Sequence, residues 1–289
     1  MCGRPPKSKK LQLIVMLNLL QHPHESMEIP KQVRNVGMGR LHKAWAFTFS
    51  LPVLYLLILS LAGQWRFPSV FPEIWSAANW IGLLKNQGDL LWSLFTSMLI
   101  SVTVAAIATS FGFWISRTIA FHPKKNLLTA FTYLPFVFSP VIFAFVLNFY
   151  FIFFDLSGMV PGIMLAQIFI TLPFALLLFV DFWDMKLKSL EDLVLTLGGS
   201  SSEAFFKVIV PVSKNMLLLC FFQAFLISWF DYGLTSIIGV GKIQTLTIKV
   251  FQYIGEANPF YAAVSSCLII IPPMILLFIN KKYLFNTLK

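Results

Sequence analysis

Apolar and polar residues in this chain are sorted into blocks. Six apolar runs, at about 44 to 63, 90 to 116, 127 to 154, 162 to 183, 215 to 238 and 259 to 280, are separated by short polar segments. The hydrocarbon core of a bilayer is about 30 Å thick and takes roughly 20 apolar residues of helix to cross. The pattern therefore predicts an all-α, polytopic membrane protein with six transmembrane helices and both termini on one side. A stretch between the fourth and fifth runs, "LEDLVLTLGGSSSEAFFKVIVP" at 190 to 211, is odd in so apolar a chain, because it puts acids, a Gly pair and three serines between two long apolar runs.

Within the insert, Ser189 precedes Asp192 by three residues and Ser200 precedes Glu203 by three, the spacing at which a hydroxyl and an acid cap a helix start reciprocally. Gly198 and Gly199 fall between the two starts, where a left-handed residue would end the first helix. Leu190, Leu193, Val194 and Leu197 form one apolar stripe, and Ala204, Phe205, Val208 and Ile209 a second, with Glu203 and Lys207 four apart. Pro211 closes the element and Lys214 marks the start of the fifth run. A short amphipathic helical hairpin is expected here.

Composition sharpens the class. Hydrophobic residues make up 57% of the 289 positions and charged residues 12%, too few to coat a soluble protein of this size. Of the 22 Lys and Arg residues, 18 fall on the side of the termini and of the 186 to 214 insert; Arg66, Lys85, Lys242 and Lys249 fall on the other. The positive-inside rule makes the first side cytoplasmic. Trp65, Trp75, Trp80 and Trp92 lie where an interfacial aromatic belt would sit. The positive charge is thus a topology signal, and no nucleic-acid surface is expected.

Residues 1–40 are set apart as a cytoplasmic extension from a membrane domain over 41–289. The apolar stretch at 11 to 20 is too short to span, and "QHPHES" offers no small-residue cleavage site. Three readings stay open: an interfacial helix, a disordered tail, or sequence upstream of a start at Met27 or Met38. Prolines at 135, 140, 173, 272 and 273 interrupt the apolar runs and call for local compensation.

Chemistry-bearing residues are sparse. Cys2, Cys220 and Cys267 are too far apart for a disulfide framework or a metal cluster. His22, His24, His42 and His122 all lie in or beside cytoplasmic segments, and "SIIGVGKI" lacks the first glycine and the hydroxyl residue of a phosphate-binding loop. No catalytic residue, metal or cofactor is expected. Asp231, inside the fifth run, is the leading candidate for a translocation path, with Gln223, Asn148 and Gln167 beside it. The competing explanations are a structural hydrogen bond from Asp231 to a Trp, a Tyr or the backbone, and interhelical bonding for the amides.

The insert resembles the cytoplasmic "EAA" loop of binding-protein-dependent ATP-binding-cassette (ABC) importer permeases, whose pattern is Glu-Ala-Ala, three residues, Gly, nine residues, Ile, one residue, Leu-Pro. The matching positions are Asp192, Leu193, Val194, Gly198, Val208, Val210 and Pro211, with both gaps kept. Asp replaces Glu with Glu191 adjacent, the alanine pair is missing, and Val replaces Ile and Leu. "FPSVFPEIW" and "SWFDYGLTSIIGVGKIQTLTIKVFQYI" are similar to segments of the branch that imports polyamines, ferric iron, thiamine or phosphonates. The resemblance implies a bacterial inner-membrane permease whose loop docks on ATPase subunits through Glu191, Asp192, Leu197, Gly198, Gly199, Phe205, Val208 and Pro211. It also implies a second permease chain, which is either a copy or a different protein, and an extracytoplasmic solute-binding protein. The alternatives are an ion-gradient-driven secondary transporter and a membrane-embedded enzyme.

Overall fold

The computed structural model describes residues 38–65, 69, 71–86 and 88–285. Residues 1–37, most of the predicted extension, and part of the "FPSVFPEIW" segment lie outside them. The chain divides into two compact units, Met1–Tyr55 and Leu56–Lys289. Helix α1, Met38–Ser60, begins in the first unit and ends in the second.

The second unit is almost entirely helical. A two-stranded antiparallel ribbon, β1 (Ala62–Gln64) and β2 (Ile74–Trp75), leads into α2, Ala78–Asn86. The Asn79 amide donates to the Ala62 carbonyl at 2.8 Å, fastening α2 to that ribbon. Next come α3 (Gly88–Ala120), α4 (Lys125–Thr132), α5 (Leu134–Val137), α6 (Pro140–Phe153) and α7 (Val160–Val180). The polar insert gives α8 (Met185–Thr196), then α9 (Ser201–Glu203), a π-helical turn (Ala204–Ile209) and α10 (Val210–Val212). The last third of the chain holds α11 (Lys214–Trp229), α12 (Gly233–Gly239), α13 (Leu246–Gly255) and α14 (Pro259–Phe285).

Three helical segments are each long and apolar enough to cross a membrane, Asp89–Ala120, Val160–Val180 and Pro259–Asn280. The pair Ser201–Val212 and Lys214–Trp229, bent by 73°, makes a fourth if it is counted as one span. Two of the predicted runs are therefore not single helices. The third is cut at Tyr133 and at Phe138–Ser139, because Pro135 and Pro140 lack amide donors and the residue before Pro140 is held extended. The fifth is cut at Phe230–Tyr232 by side-chain chemistry described below. Pro173 and the Pro272–Pro273 pair leave α7 and α14 continuous.

Helix α3 is the central rod, packed against both α7 and α11. Small side chains set how closely the helices approach, since apolar surface gives no drive to associate inside lipid and close van der Waals contact has to supply it. Ala105, Ala108 and Ala224 are fully buried between α3 and α11. Against α7, a Cβ on Gly112 would lie 2.6 Å from that of Ala175, so only glycine fits. One turn further, Phe113, Phe179, Trp183 and Ile209 close a cluster that reaches from the bundle into the polar insert. Gly112→Ala is expected to lower stability in detergent by about 1–3 kcal/mol through overpacking. Ala175→Gly in the same chain should recover much of that loss, as read by thermal unfolding of the single and double variants.

Candidate functional site

The polar insert forms two short helical arms, Met185–Thr196 and Ser201–Val212, joined at Gly198–Gly199. Its first arm, however, begins five residues earlier than the sequence suggested. Asp184 is the N-cap of α8, accepting from the Leu187 amide at 2.9 Å. Ser189 sits inside the helix with its hydroxyl on the Met185 carbonyl at 2.8 Å, so the Ser189–Asp192 capping pair does not form. A charged acceptor at 184 outcompetes a neutral hydroxyl for the helix start.

The turn is closed by backbone bonds. Gly198 adopts φ +86°. Its amide donates to the Leu195 carbonyl at 3.1 Å and that of Gly199 to Val194 at 3.0 Å, the pair of bonds of a Schellman motif. The positive φ favours glycine at 198, and a Cβ on Gly199 would meet Val194 Cγ1 at 2.6 Å and the Val194 carbonyl oxygen at 3.0 Å, so Val194 would have to shift. The second arm opens with the predicted capping box, Ser200 accepting from the Glu203 amide at 3.2 Å and Glu203 from the Ser200 amide at 3.2 Å. The Lys207 amine, 2.7 Å from Glu203, is the main cause holding that carboxyl below its usual range, followed by the Ser200 amide. Because the folded-state pKa is depressed, this contribution is present at neutral pH and is lost as pH falls through that lowered value. Pro211, with no N–H, sits where the helix ladder returns from the i−5 bond of Val210 to Phe205 to the i−4 bond of Ser213 to Ile209.

An ion pair the sequence did not reveal ties the hairpin to the bundle. Arg117, near the end of α3, bonds Glu191 of α8, with side chains only 28% and 12% exposed. The same guanidinium lies 5.9 Å from the Phe205 ring centroid, so it holds both arms at once. Nearby, the Trp183 indole donates to Ser116 at 2.9 Å. Two clefts flank this tether. One, of about 580 Å³, is lined by Trp114, Arg117, Phe205 and Phe206; the other, of about 570 Å³, by Arg117, His122, Lys188, Glu191 and Asp192. Of the predicted docking residues, Glu191 is spent on the internal pair, Asp192, Gly198 and Pro211 are exposed, and Gly199, Phe205 and Val208 are half-buried. Leu197 is 79% exposed at the tip, with Leu193 and Leu195 also open.

The proposed path residues separate into two groups. Asp231 and Gln167 meet: the Gln167 amide donates to Asp231 at 3.3 Å and to Thr235 at 3.1 Å, and accepts from Ser228 at 2.5 Å. Asp231 also accepts from the Leu234 and Thr235 amides at 3.3 and 2.9 Å and from the Thr235 hydroxyl at 2.6 Å. It therefore caps α12, which favours the structural explanation for this acid over direct exposure to a path. Beside it lies a polar cavity of about 10 Å³, room for about one water. Asn148 instead accepts from Ser157 at 2.8 Å, and neither it nor half-buried Gln223 lines that cavity. Ser228 and Thr235 are the partners the sequence left unnamed, although they stand three and four residues from Asp231, one helical turn away.

No protein-family description and no curated protein matches the sequence. Among solved structures, a chain in the crystal structure of a bacterial ABC transporter involved in the import of the acidic polysaccharide alginate is similar in fold, with a TM-score of 0.65. The likeness covers 98% of this chain and 100% of the other at 14% identity.

Removing one partner of a largely buried pair strands the other, so Arg117→Met should free the hairpin from α3 at a cost of about 1–3 kcal/mol. Hydrogen exchange over residues 185 to 212 should quicken. Arg117→Met with Glu191→Gln should be slower to exchange than Arg117→Met alone, because the stranded charge is gone.

Proposed function

We propose that this chain is a transmembrane permease subunit of an ABC importer, with six spans and both termini on the cytoplasmic side of a bacterial inner membrane. It forms a solute path with a second permease chain and receives solute from an external binding protein. The 185 to 212 hairpin is its docking element for the ATPase subunits. One observation carries this reading: a hairpin closed by caps at both arms and tied to the longest helix by Arg117–Glu191 presents an open apolar tip at Leu193 and Leu197. A braced element passes on a displacement that a slack loop would absorb. The likeness to a chain of a bacterial ABC importer over nearly the whole length supports the same reading.

In the proposed cycle, ATP binding draws the ATPase subunits together, the hairpins follow, and Arg117 carries the shift into α3. ATP supplies the differential stabilisation that moves the population between inward-open and outward-open states. Asp231 and Gln167 hold the joint between α11 and α12, so their part is to fix the geometry of the path wall.

One observation favours the ion-driven alternative, namely that α11 and α12 form a discontinuous helix with an acid at its break. The two are separated by energy source. Purified chain in vesicles that moves solute down an ion gradient without ATPases supports the alternative. Uptake that needs ATPase subunits and ATP supports the importer. A panel of polyamine, ferric iron, thiamine, phosphonate and acidic oligosaccharide then decides the solute class.

Leu197→Asp alters a side chain that is largely solvent-exposed, so the bundle should insert and fold as before. ATPase subunits should no longer copurify with it. Copurification at wild-type yield would refute the docking role of the tip.

A further inference from the structure

A separate cleft of about 440 Å³ opens at the other end of α3, where Asp89, Trp92, Ser93 and Phe95 face Lys242 and Lys249. At a rise of 1.5 Å per residue, the 28 residues from Asp89 to Arg117 place it about 42 Å from the hairpin tether. Its volume is that of a small-molecule site, since such pockets run from about 300 to 1,000 Å³.

Its polar groups are mostly donors left without acceptors. Lys249, on α13, is only 9% exposed. Its one contact given by the geometry is Gln252 Oε1 at 3.5 Å, an amide oxygen at the limit of a hydrogen bond, and it takes part in no ion pair among the described residues. A lysine ammonium has three donors, so at least two are open. The Ser93 hydroxyl, wholly buried on α3, also has no hydrogen-bond partner among the described residues. Lys242 adds a second cation at the rim. Against these stand two acceptors, the exposed Asp89 carboxylate, beyond ion-pair distance of both lysines, and the Gln244 oxygen, itself unpartnered. Buried donors of this kind are costly unless a partner arrives to satisfy them.

The mouth supplies the other half of a recognition site. Trp92 and Phe95 lie with ring centroids 5.7 Å apart, nearly parallel, and both are exposed. They offer an apolar face on the wall of the same cleft that the lysines line.

We infer that this cleft binds a small molecule carrying an anionic oxygen group, a carboxylate or a phosphate, with that group on Lys249 and Ser93 and an apolar or ring-bearing body against Trp92 and Phe95. Neither an ATPase nor a transport cycle is needed for this binding.

The test uses the full chain in a maltoside detergent, whose headgroup is uncharged and phosphate-free. Binding of benzoate and of phenyl phosphate is followed by ligand-observed NMR, with phosphatidylglycerol added in a second series. Wild type is expected to bind at least one of the two aromatic anions. Lys249→Met should weaken that binding about tenfold, the loss of one charge-assisted hydrogen bond, while Lys249→Arg should keep it. The arginine variant separates a lost charge from a lost fold. If phosphatidylglycerol displaces the aromatic anion from wild type, the natural anion is a lipid headgroup; if it does not, the anion is a free solute, and the cleft is an anion site in both cases. Equal binding by wild type and Lys249→Met, or no binding of benzoate, phenyl phosphate or phosphatidylglycerol, would overturn the inference.

Discussion

In so apolar a chain, each backbone N–H and C=O has to find its partner within the chain itself. Regular helix meets that requirement automatically, so what needs explaining is where the helices stop. Two of the interruptions carry their own acceptors or donors. At the joint after α11, Asp231 accepts the Leu234 and Thr235 amides that begin α12, while the Thr247 hydroxyl donates to the Trp229 carbonyl left open at the end of α11. At the hairpin turn, Gly198 and Gly199 return their amides to Leu195 and Val194. At these two places polar side chains and glycines are the means by which helices are allowed to end.

That economy explains why so few polar side chains are free for anything else, and it separates the sites by kind. Asp231 lies within an apolar run, yet four hydrogen bonds from two backbone amides, a hydroxyl and a carboxamide occupy its two oxygens. Glu191 is likewise consumed by Arg117. Leu197 and the neighbouring apolar positions of the hairpin tip have the opposite character, because among the described residues they remain largely exposed. The Lys249 cleft differs again, in that its donors are buried but not consumed.

Much of this was legible in the sequence where the signal is local. Long apolar runs marked α3, α7 and α14, and the Ser200–Glu203 spacing and the glycine pair marked the hairpin's turn and second arm. Features set by three-dimensional neighbours were not legible. Asp184 took the cap from Ser189 because a carboxylate stood where the helix could begin earlier. The break after Trp229 depends on Gln167 and Thr247, 64 residues before and 16 after Asp231, which no local pattern brings together. Arg117 reads in sequence as one more cytoplasmic cation, and only the return of α8 to the end of α3 makes it the partner of Glu191.

The same helix that receives the hairpin also walls the anion cleft, and this has a mechanical consequence. Helix α3 runs unbroken from Gly88 to Ala120, and the 2.6 Å approach implied at Gly112–Ala175 leaves α3 and α7 little freedom to slide past one another. A displacement applied at Arg117 is therefore carried along the rod instead of being dissipated at a bend, and α7 must move with it. The helix breaks lie elsewhere, at Phe138–Ser139 before α6 and at the Asp231 joint before α12, and α6 and α12 pack on each other. A continuous, close-packed α3–α7 pair is thus bordered by an α6–α12 pair that is broken at its ends.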